Sequence, residues 1–382
     1  MIYLDNSATT KPYDAVLDSF NKVSSTYFAN PSSVHRFGGE AERLLRQSKI
    51  QAAELMGVEE DEMVFTSGGT EGNNMAIKGI ALAHQARGKH IITSQIEHPS
   101  VLEACRSLES LGFKVTYLPV DETGRVTVDS VESAIQKDTI LISIMSVNNE
   151  LGSIQPVEQI GELAAHYPKL FFHVDHVQGL YKTPFDIKGA KVDLCTVSGH
   201  KVHGLKGTGA LYVKRGTQLF PLFHGGNQEA DYRAGTENVP GIVAFVKALR
   251  LTSHQQQTNR ESLIRMKRDL RAALAGINGV HINSPEDGAP HIVNISVPGY
   301  KPEVVIHALG EKEIYISTKS ACSSKHPDVS AVLAACRFNE ERTTSALRIS
   351  LSYQTEPSEI DTFVTELKAT LNELKETMER SS

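Results

Sequence analysis

Between residues 63 and 213, apolar runs of strand length alternate with longer stretches whose apolar residues recur at helical spacing. That alternation limits the fold more than any other feature. The runs lie at 63–65, 90–93, 115–119, 139–147, 170–174, 194–197 and 209–213, and segments such as 40–55 and 157–165 read as amphipathic helices. Such a pattern predicts an α/β domain with a mainly parallel sheet, whose ligand sites gather at the carboxyl ends of the strands. After about residue 250 the texture changes. Leu263, Met266, Leu270 and Leu274 line one face of a helix, and strand-like pieces follow at 291–297 and 347–351. A closing helix carries Ile360, Phe363, Val364, Leu367, Leu371 and Leu374 on one stripe, with Thr355 and Pro357 suited to its start. A second, α+β domain is expected there.

Composition narrows the functional classes. Hydrophobic residues make up 40% and charged residues 22% of 382, as in ordinary globular chains. The 39 basic and 45 acidic side chains leave a net charge of -6, which gives no electrostatic reason to hold nucleic acid. Met1-Ile2-Tyr3-Leu4 runs at once into Asp5-Asn6-Ser7, so no secretory leader is expected. The most apolar stretch, 140–147, is too short to cross a membrane. The four cysteines, Cys105, Cys195, Cys322 and Cys336, form no CxxC pair. Free thiols in a reducing compartment, the cytoplasm, are expected, with no metal site.

Three local motifs carry chemistry. Ser198-Gly199-His200-Lys201 follows a strand-like run and precedes Gly204-Leu205-Lys206-Gly207-Thr208-Gly209. A lysine at the end of a buried strand loses water, lowers its pKa and becomes a nucleophile toward an aldehyde. A lone lysine is more often simply solvated, so Lys201 needs partners. Asp175 ends the run Phe172-His173-Val174 and places a carboxylate at the sheet edge, with Gln178 three residues on. It would serve either as a helix N-cap or as the anion that keeps a pyridinium nitrogen protonated. Thr66-Ser67-Gly68-Gly69-Thr70-Glu71-Gly72-Asn73-Asn74 leads into a helical pattern at 75–82. Bare N–H groups at such a helix start suit a phosphate, although the turn lacks the lysine of a Walker loop. Together the motifs supply a phosphate cradle, a ring-nitrogen anion and an aldehyde nucleophile.

At these residues the chain closely resembles the cysteine desulfurases, pyridoxal 5'-phosphate (PLP) enzymes of the class-V aminotransferase group. The similarity also runs through Tyr3-Leu4-Asp5-Asn6-Ser7-Ala8-Thr9-Thr10, Asn30-Pro31-Ser32-Ser33-Val34-His35, Glu97-His98 and Asn148-Asn149-Glu150-Leu151-Gly152. It continues through Gly235-Thr236-Glu237-Asn238-Val239, Ser320-Ala321-Cys322-Ser323-Ser324 and Leu347-Arg348-Ile349-Ser350. The resemblance implies the fold-type I architecture of PLP-dependent transferases. A large domain, 15–250, would hold a mainly parallel seven-stranded sheet, and 1–14 with 251–382 would form the smaller α+β domain.

It also implies roles. Lys201 would form the Schiff base and move the substrate Cα proton, with Asp175 keeping the ring an electron sink. His98 would stack over the ring and act in acid/base steps, and Gln178 would bond the ring oxygen. Thr70, Ser198 and His200 would hold the phosphate, joined by Thr236 from the partner subunit of a homodimer, and Gly69 and Asn149 would also bind the cofactor. Asn149 and Arg348 would grip the carboxylate of L-cysteine, Arg348 in a two-pronged pair. Cys322, among small polar residues, would be the sulfur acceptor. The other three cysteines read as small buried residues. The stretch from Ser320 to Leu333 resembles the long-loop type. It would form a persulfide on Cys322 and pass it to an acceptor protein, a scaffold for iron–sulfur assembly or an enzyme of tRNA or thiamine thiolation. Selenocysteine cleavage and amino-group transfer are the alternatives on the same scaffold. The chain departs from the family pattern at His176-Val177, Leu205, 225–233 and Thr318-Lys319, none of them an expected catalytic position.

Overall fold

The computed structural model describes residues 1–318 and 329–381. Its centre is a seven-stranded sheet, in the order Met63–Thr66, Gly209–Val213, Leu194–Ser198, Phe171–Asp175, Thr139–Met145, His90–Ser94 and Lys114–Leu118. Only Gly209–Val213 runs against its neighbours, pairing antiparallel with both; every other pairing is parallel. The expected α/β class and mainly parallel sheet are therefore observed, with strand ends within about two residues of the sequence pattern. The reason is burial: the inner strands Thr139–Met145, Leu194–Ser198 and His90–Ser94 are buried at every residue. Parallel strands covered by helices on both faces read as continuous apolar runs.

The chain lays His90–Ser94 next to Lys114–Leu118, then crosses back to add Thr139–Met145 on the other side of His90–Ser94. Neighbouring strand ends there feed loops that diverge, which opens a crevice beyond their carboxyl ends.

A second sheet of three antiparallel strands is ordered Ala346–Ser350, Ile292–Ser296 and His281–Ile282. It packs with the helices Pro302–Glu311 and Pro357–Ser381 around Leu4, Leu263, Leu270, Leu309, Phe363 and Leu367. The short strand Ile2–Tyr3 pairs with Ile314–Tyr315, and Asp5 bridges to Ser350, so the N-terminus belongs to this layer.

One helix, Val239–Ala275, joins both layers. Its first half puts Ile242, Phe245 and Leu249 into the main core, and its second half puts Leu263, Leu270 and Leu274 into the other. The change of texture near residue 250 is a change of partner along one continuous helix. Among the described residues, no helix is long and apolar enough to cross a membrane, and no group of three His, Cys, Asp or Glu could hold a metal ion.

Candidate active site

A cavity of about 240 Å³ opens at the carboxyl ends of the parallel strands. Lys201, Asp175, His98, Gly69, Thr70, Asn149, Gln178, Ser198, His200 and Arg348 all line it. Ten of the expected site residues, up to 279 positions apart, thus meet in one place. Thr236 does not join them: it is exposed and lines a separate hollow with Gly207, Thr208 and Asn238. Cys322 lies outside the described residues.

Lys201 ends a tight turn, Gly199–Lys201, that follows the Leu194–Ser198 strand directly. The turn requires glycine at 199, where a Cβ would fall 2.3 Å from Thr208 Oγ1 and 3.0 Å from Phe245. The lysine Nζ donates to the carbonyls of Ser7 (2.5 Å) and Ala8 (2.7 Å). Loss of water lowers its pKa to about 7, the Arg348 charge adding to the drop while Asp5 and Asp175 oppose it. Near neutrality, then, a large share of the amine is uncharged and nucleophilic.

Asp175 is the last residue of the Phe171–Asp175 strand and is buried. Its Oδ2 accepts 2.7 Å from Asn73 Nδ2, and its Oδ1 accepts 3.0 Å from the backbone N–H of Val177. Asn73 Nδ2 also donates to Ser100 Oγ (2.8 Å), and Ser100 Oγ lies 2.8 Å from His98 Nδ1. His98 caps the helix Pro99–Glu109, its Nδ1 accepting from the Ser100 N–H at 3.1 Å. An accepting Nδ1 leaves the proton of the neutral ring on Nε2. Burial lowers the His98 pKa and Lys201 lowers it further, with Asp175 opposing, which favours that neutral ring.

At the other end of the cavity, the helix Gly69–His84 starts after Gly68, whose φ of 145° suits only glycine. Gly209 must also be glycine, since a Cβ there would lie 2.7 Å from Gly68 Cα. Facing this helix start is Ser198 Oγ, buried and without a partner. An orphaned hydroxyl beside the N–H groups of a helix N-terminus suits an anion. His200 lies alongside with Nδ1 3.3 Å from Thr9 Oγ1, its pKa pushed down to about 4 by burial and by nearby lysines.

On the third side, Arg348 is 3% exposed. Its Nη1 donates 2.8 Å to the Asn149 carbonyl, and its Nη2 donates to Asp5 Oδ1 (3.0 Å) and Ser317 Oγ (2.8 Å), while Nε has no partner. Gln178 Nε2 donates to the Ser7 carbonyl at 2.9 Å. Cys105, Cys195 and Cys336 are buried and free, and burial raises each thiol pKa, as the sequence suggested for inert cysteines.

Residues the motifs did not single out complete the site. Asn73 and Ser100 link Asp175 to His98, the Ser7 and Ala8 carbonyls hold Lys201, and Asp5 with Ser317 holds Arg348. Asn73 sat inside the quoted glycine-rich run, one helical turn beyond Gly69, the only signal of its inward position.

Comparison with known proteins identifies the family. Residues 2–363 match the family Aminotransferase class-V. A NifS/IcsS protein homolog of Lactobacillus delbrueckii subsp. bulgaricus is 47% identical over 95% of each chain. Cysteine desulfurase IscS of Methanosarcina thermophila is 43% identical over 94% of this chain and 89% of its own. Among solved structures, a NifS-like protein superposes with a TM-score of 0.92 at 34% identity, over 97% of this chain and 99% of its own. SspA in complex with cysteine superposes with a TM-score of 0.80 at 36% identity, over 92% and 99%. The chain belongs to the class-V aminotransferase family, a family of PLP-dependent enzymes. Within that family its relatives are cysteine desulfurases of the IscS/NifS kind.

Proposed function

We propose that the protein removes sulfur from L-cysteine, releases L-alanine and carries the sulfur as a persulfide on Cys322 to an acceptor protein. The observation that carries this is Lys201. Its amine has a pKa lowered to about 7 and shares one cavity with a buried carboxylate, Asp175, and a neutral histidine, His98. The cavity's chemistry fits PLP. Unpartnered Ser198 Oγ and the N–H groups at Gly69 and Thr70 suit its phosphate, with His200 alongside. Asp175 suits its ring nitrogen, Gln178 its ring oxygen, and Lys201 its aldehyde. Thr236 would reach the phosphate from the partner subunit of a homodimer.

When bound, PLP supplies an aldehyde that condenses with amines and a protonated ring that draws electron density from the substrate Cα. The protein's part follows from its own groups. Arg348 and Asn149 orient the substrate carboxylate. Lys201, uncharged near neutrality, takes the Cα proton. Asp175, which accepts from Asn73 and from the Val177 N–H, would hold a proton on the ring nitrogen. His98, with its proton on Nε2, would act in acid/base steps. The Cys322 thiolate attacks the substrate sulfur, forming an S–S bond as the C–S bond breaks and its electron pair returns to the carbon skeleton, which is then protonated to alanine.

The large domain, 15–250, would supply the cofactor site, while 1–14 and 251–382 supply Asp5, Ser317 and Arg348. We place the enzyme in the cytoplasm, where a persulfide survives, with acceptors for iron–sulfur assembly or for tRNA or thiamine thiolation. The test is Cys322→Ser. Its visible cofactor band should equal that of the parent while persulfide formation and alanine release are lost. A Ser variant that still delivers sulfur to an acceptor at the parent rate would overturn the role of Cys322. Keto acid in place of alanine would indicate amino-group transfer.

A further inference from the structure

Arg348 is the one fixed charge proposed above to take the substrate carboxylate, yet both hydrogens of its Nη2 are already committed. A guanidinium has five N–H bonds, and a carboxylate gripped at two points needs two that lie parallel on one edge. One such edge pairs Nε with Nη2; the other pairs Nη1 with Nη2. Both therefore need an Nη2 hydrogen. Here Nη2 donates to Asp5 Oδ1 at 3.0 Å and to Ser317 Oγ at 2.8 Å, which uses both. The Nε hydrogen, buried and without a partner, has been left out.

We propose that Asp5 is an internal stand-in for the substrate carboxylate. It neutralises Arg348 in the free enzyme and must yield Nη2 when substrate binds, so it sets the affinity for the carboxylate. The inference rests on Arg348 being the carboxylate site. Three further observations support it. A buried guanidinium without a counter-charge is unfavourable, and Asp5 is the single carboxylate paired with Arg348 among the described residues. The arrangement is a triangle: Ser317 Oγ accepts from Nη2 and donates to the same Asp5 Oδ1 at 2.7 Å, so both partners leave or stay together. The backbone beneath Asp5 is fixed. Leu4 O accepts from the Ser350 N–H at 2.6 Å, and the Ser7 N–H donates to Ser350 Oγ at 2.8 Å. Yielding Nη2 then requires only a side-chain rotation of Asp5, whose side chain is 20% exposed against 3% for Arg348.

The test is calorimetric titration of the cofactor-loaded enzyme with propionate, which has a carboxylate but no amine to react with the cofactor. Asp5→Asn should bind propionate roughly three- to fivefold more tightly than the parent, the size of a partly exposed ion pair. A merely structural role for Asp5 would give the opposite sign, because a displaced Arg348 binds less well. Unchanged or weaker binding in Asp5→Asn overturns the proposal. If Asp5→Asn does not fold, Ser317→Ala decides in the same way, since it frees the other Nη2 hydrogen and should also tighten binding. Arg348→Lys separates this inference from the one beneath it. Propionate affinity unchanged in Arg348→Lys would show that the carboxylate site itself lies elsewhere. Affinity lost there, with no gain in Asp5→Asn, would overturn the role of Asp5 alone.

Discussion

The Nζ of Lys182 donates a 3.0 Å hydrogen bond to the backbone carbonyl of Lys201. Lys182 is itself buried, its pKa lowered to about 8 by loss of water, and its charge helps to lower that of Lys201. One buried lysine thus pins the turn that carries the other and favours its uncharged form.

That coupling has a definite sign. The Lys201 amine is uncharged above about pH 7, so the rate at which the apoprotein takes up PLP should rise through that pH and level off above it. Lys182→Met removes a neighbouring positive charge and should move the midpoint upward. Uptake followed by the visible cofactor band across pH 5.5 to 9.5 measures it. A midpoint that stays or falls would show that Lys182 does not act on Lys201 through charge.

Asp175 and His98 are joined through Asn73 and Ser100 by bonds of 2.7 and 2.8 Å. Asp175→Asn should lower kcat by about 10²-fold or more, the scale of losing one preorganised electrostatic group. Asn73→Ala leaves the carboxylate in place and should lose about tenfold, since it removes one charge-assisted bond. Steady-state alanine release distinguishes them. Equal losses would mean that Asn73 matters as much as the anion.

Gly69 illustrates how tightly the helix start is fitted. A Cβ there would lie 2.9 Å from Val177 Cγ2. Gly69→Ala should cost about 1–3 kcal/mol of stability, as overpacking does, and weaken PLP binding. Val177→Ala in the same chain should restore most of both. Thermal melts and cofactor dissociation constants give the comparison, and no recovery in the double variant would place the fault elsewhere.

Much of the sheet was legible because strands buried on both faces leave no polar alternation to misread. The helix Gly69–His84 was visible only from Met75, because its first turns, Gly69 to Asn74, carry no apolar residue. Those turns face the cavity, so the local hydrophobic pattern fails where the site is. Nor could spacing reveal that Ser7 and Ala8 hold Lys201, 194 and 193 residues away, or that Asp5 holds Arg348, 343 away. Such pairings come from docking the N-terminus beside the last strand. The helix Val239–Ala275 hid its continuity because its two halves bury different stripes in different cores.

Buried histidines predict acid lability. Burial pushes His173 and His176 down to about 3 and His203 down to about 4. Each stays neutral in the folded protein while the unfolded chain takes a proton below about pH 6.5, so stability is lost as pH falls from about 6.5 toward 4. Each contributes about 1.4 kcal/mol per pH unit within that window. Glu97, pushed up to about 8 by burial, acts in the opposite sense and offsets one of the three. Urea midpoints should therefore fall clearly between pH 6.5 and 5. A flat profile would mean that these rings are protonated in the folded state.

The most direct measurement of the central claim is borohydride reduction of the cofactor-loaded enzyme followed by peptide mapping. The pyridoxyl group should be found on Lys201, whose amine lies in the cavity with Asp175 and His98. A tag on Lys182 or any other lysine, or no tag at all, would contradict it.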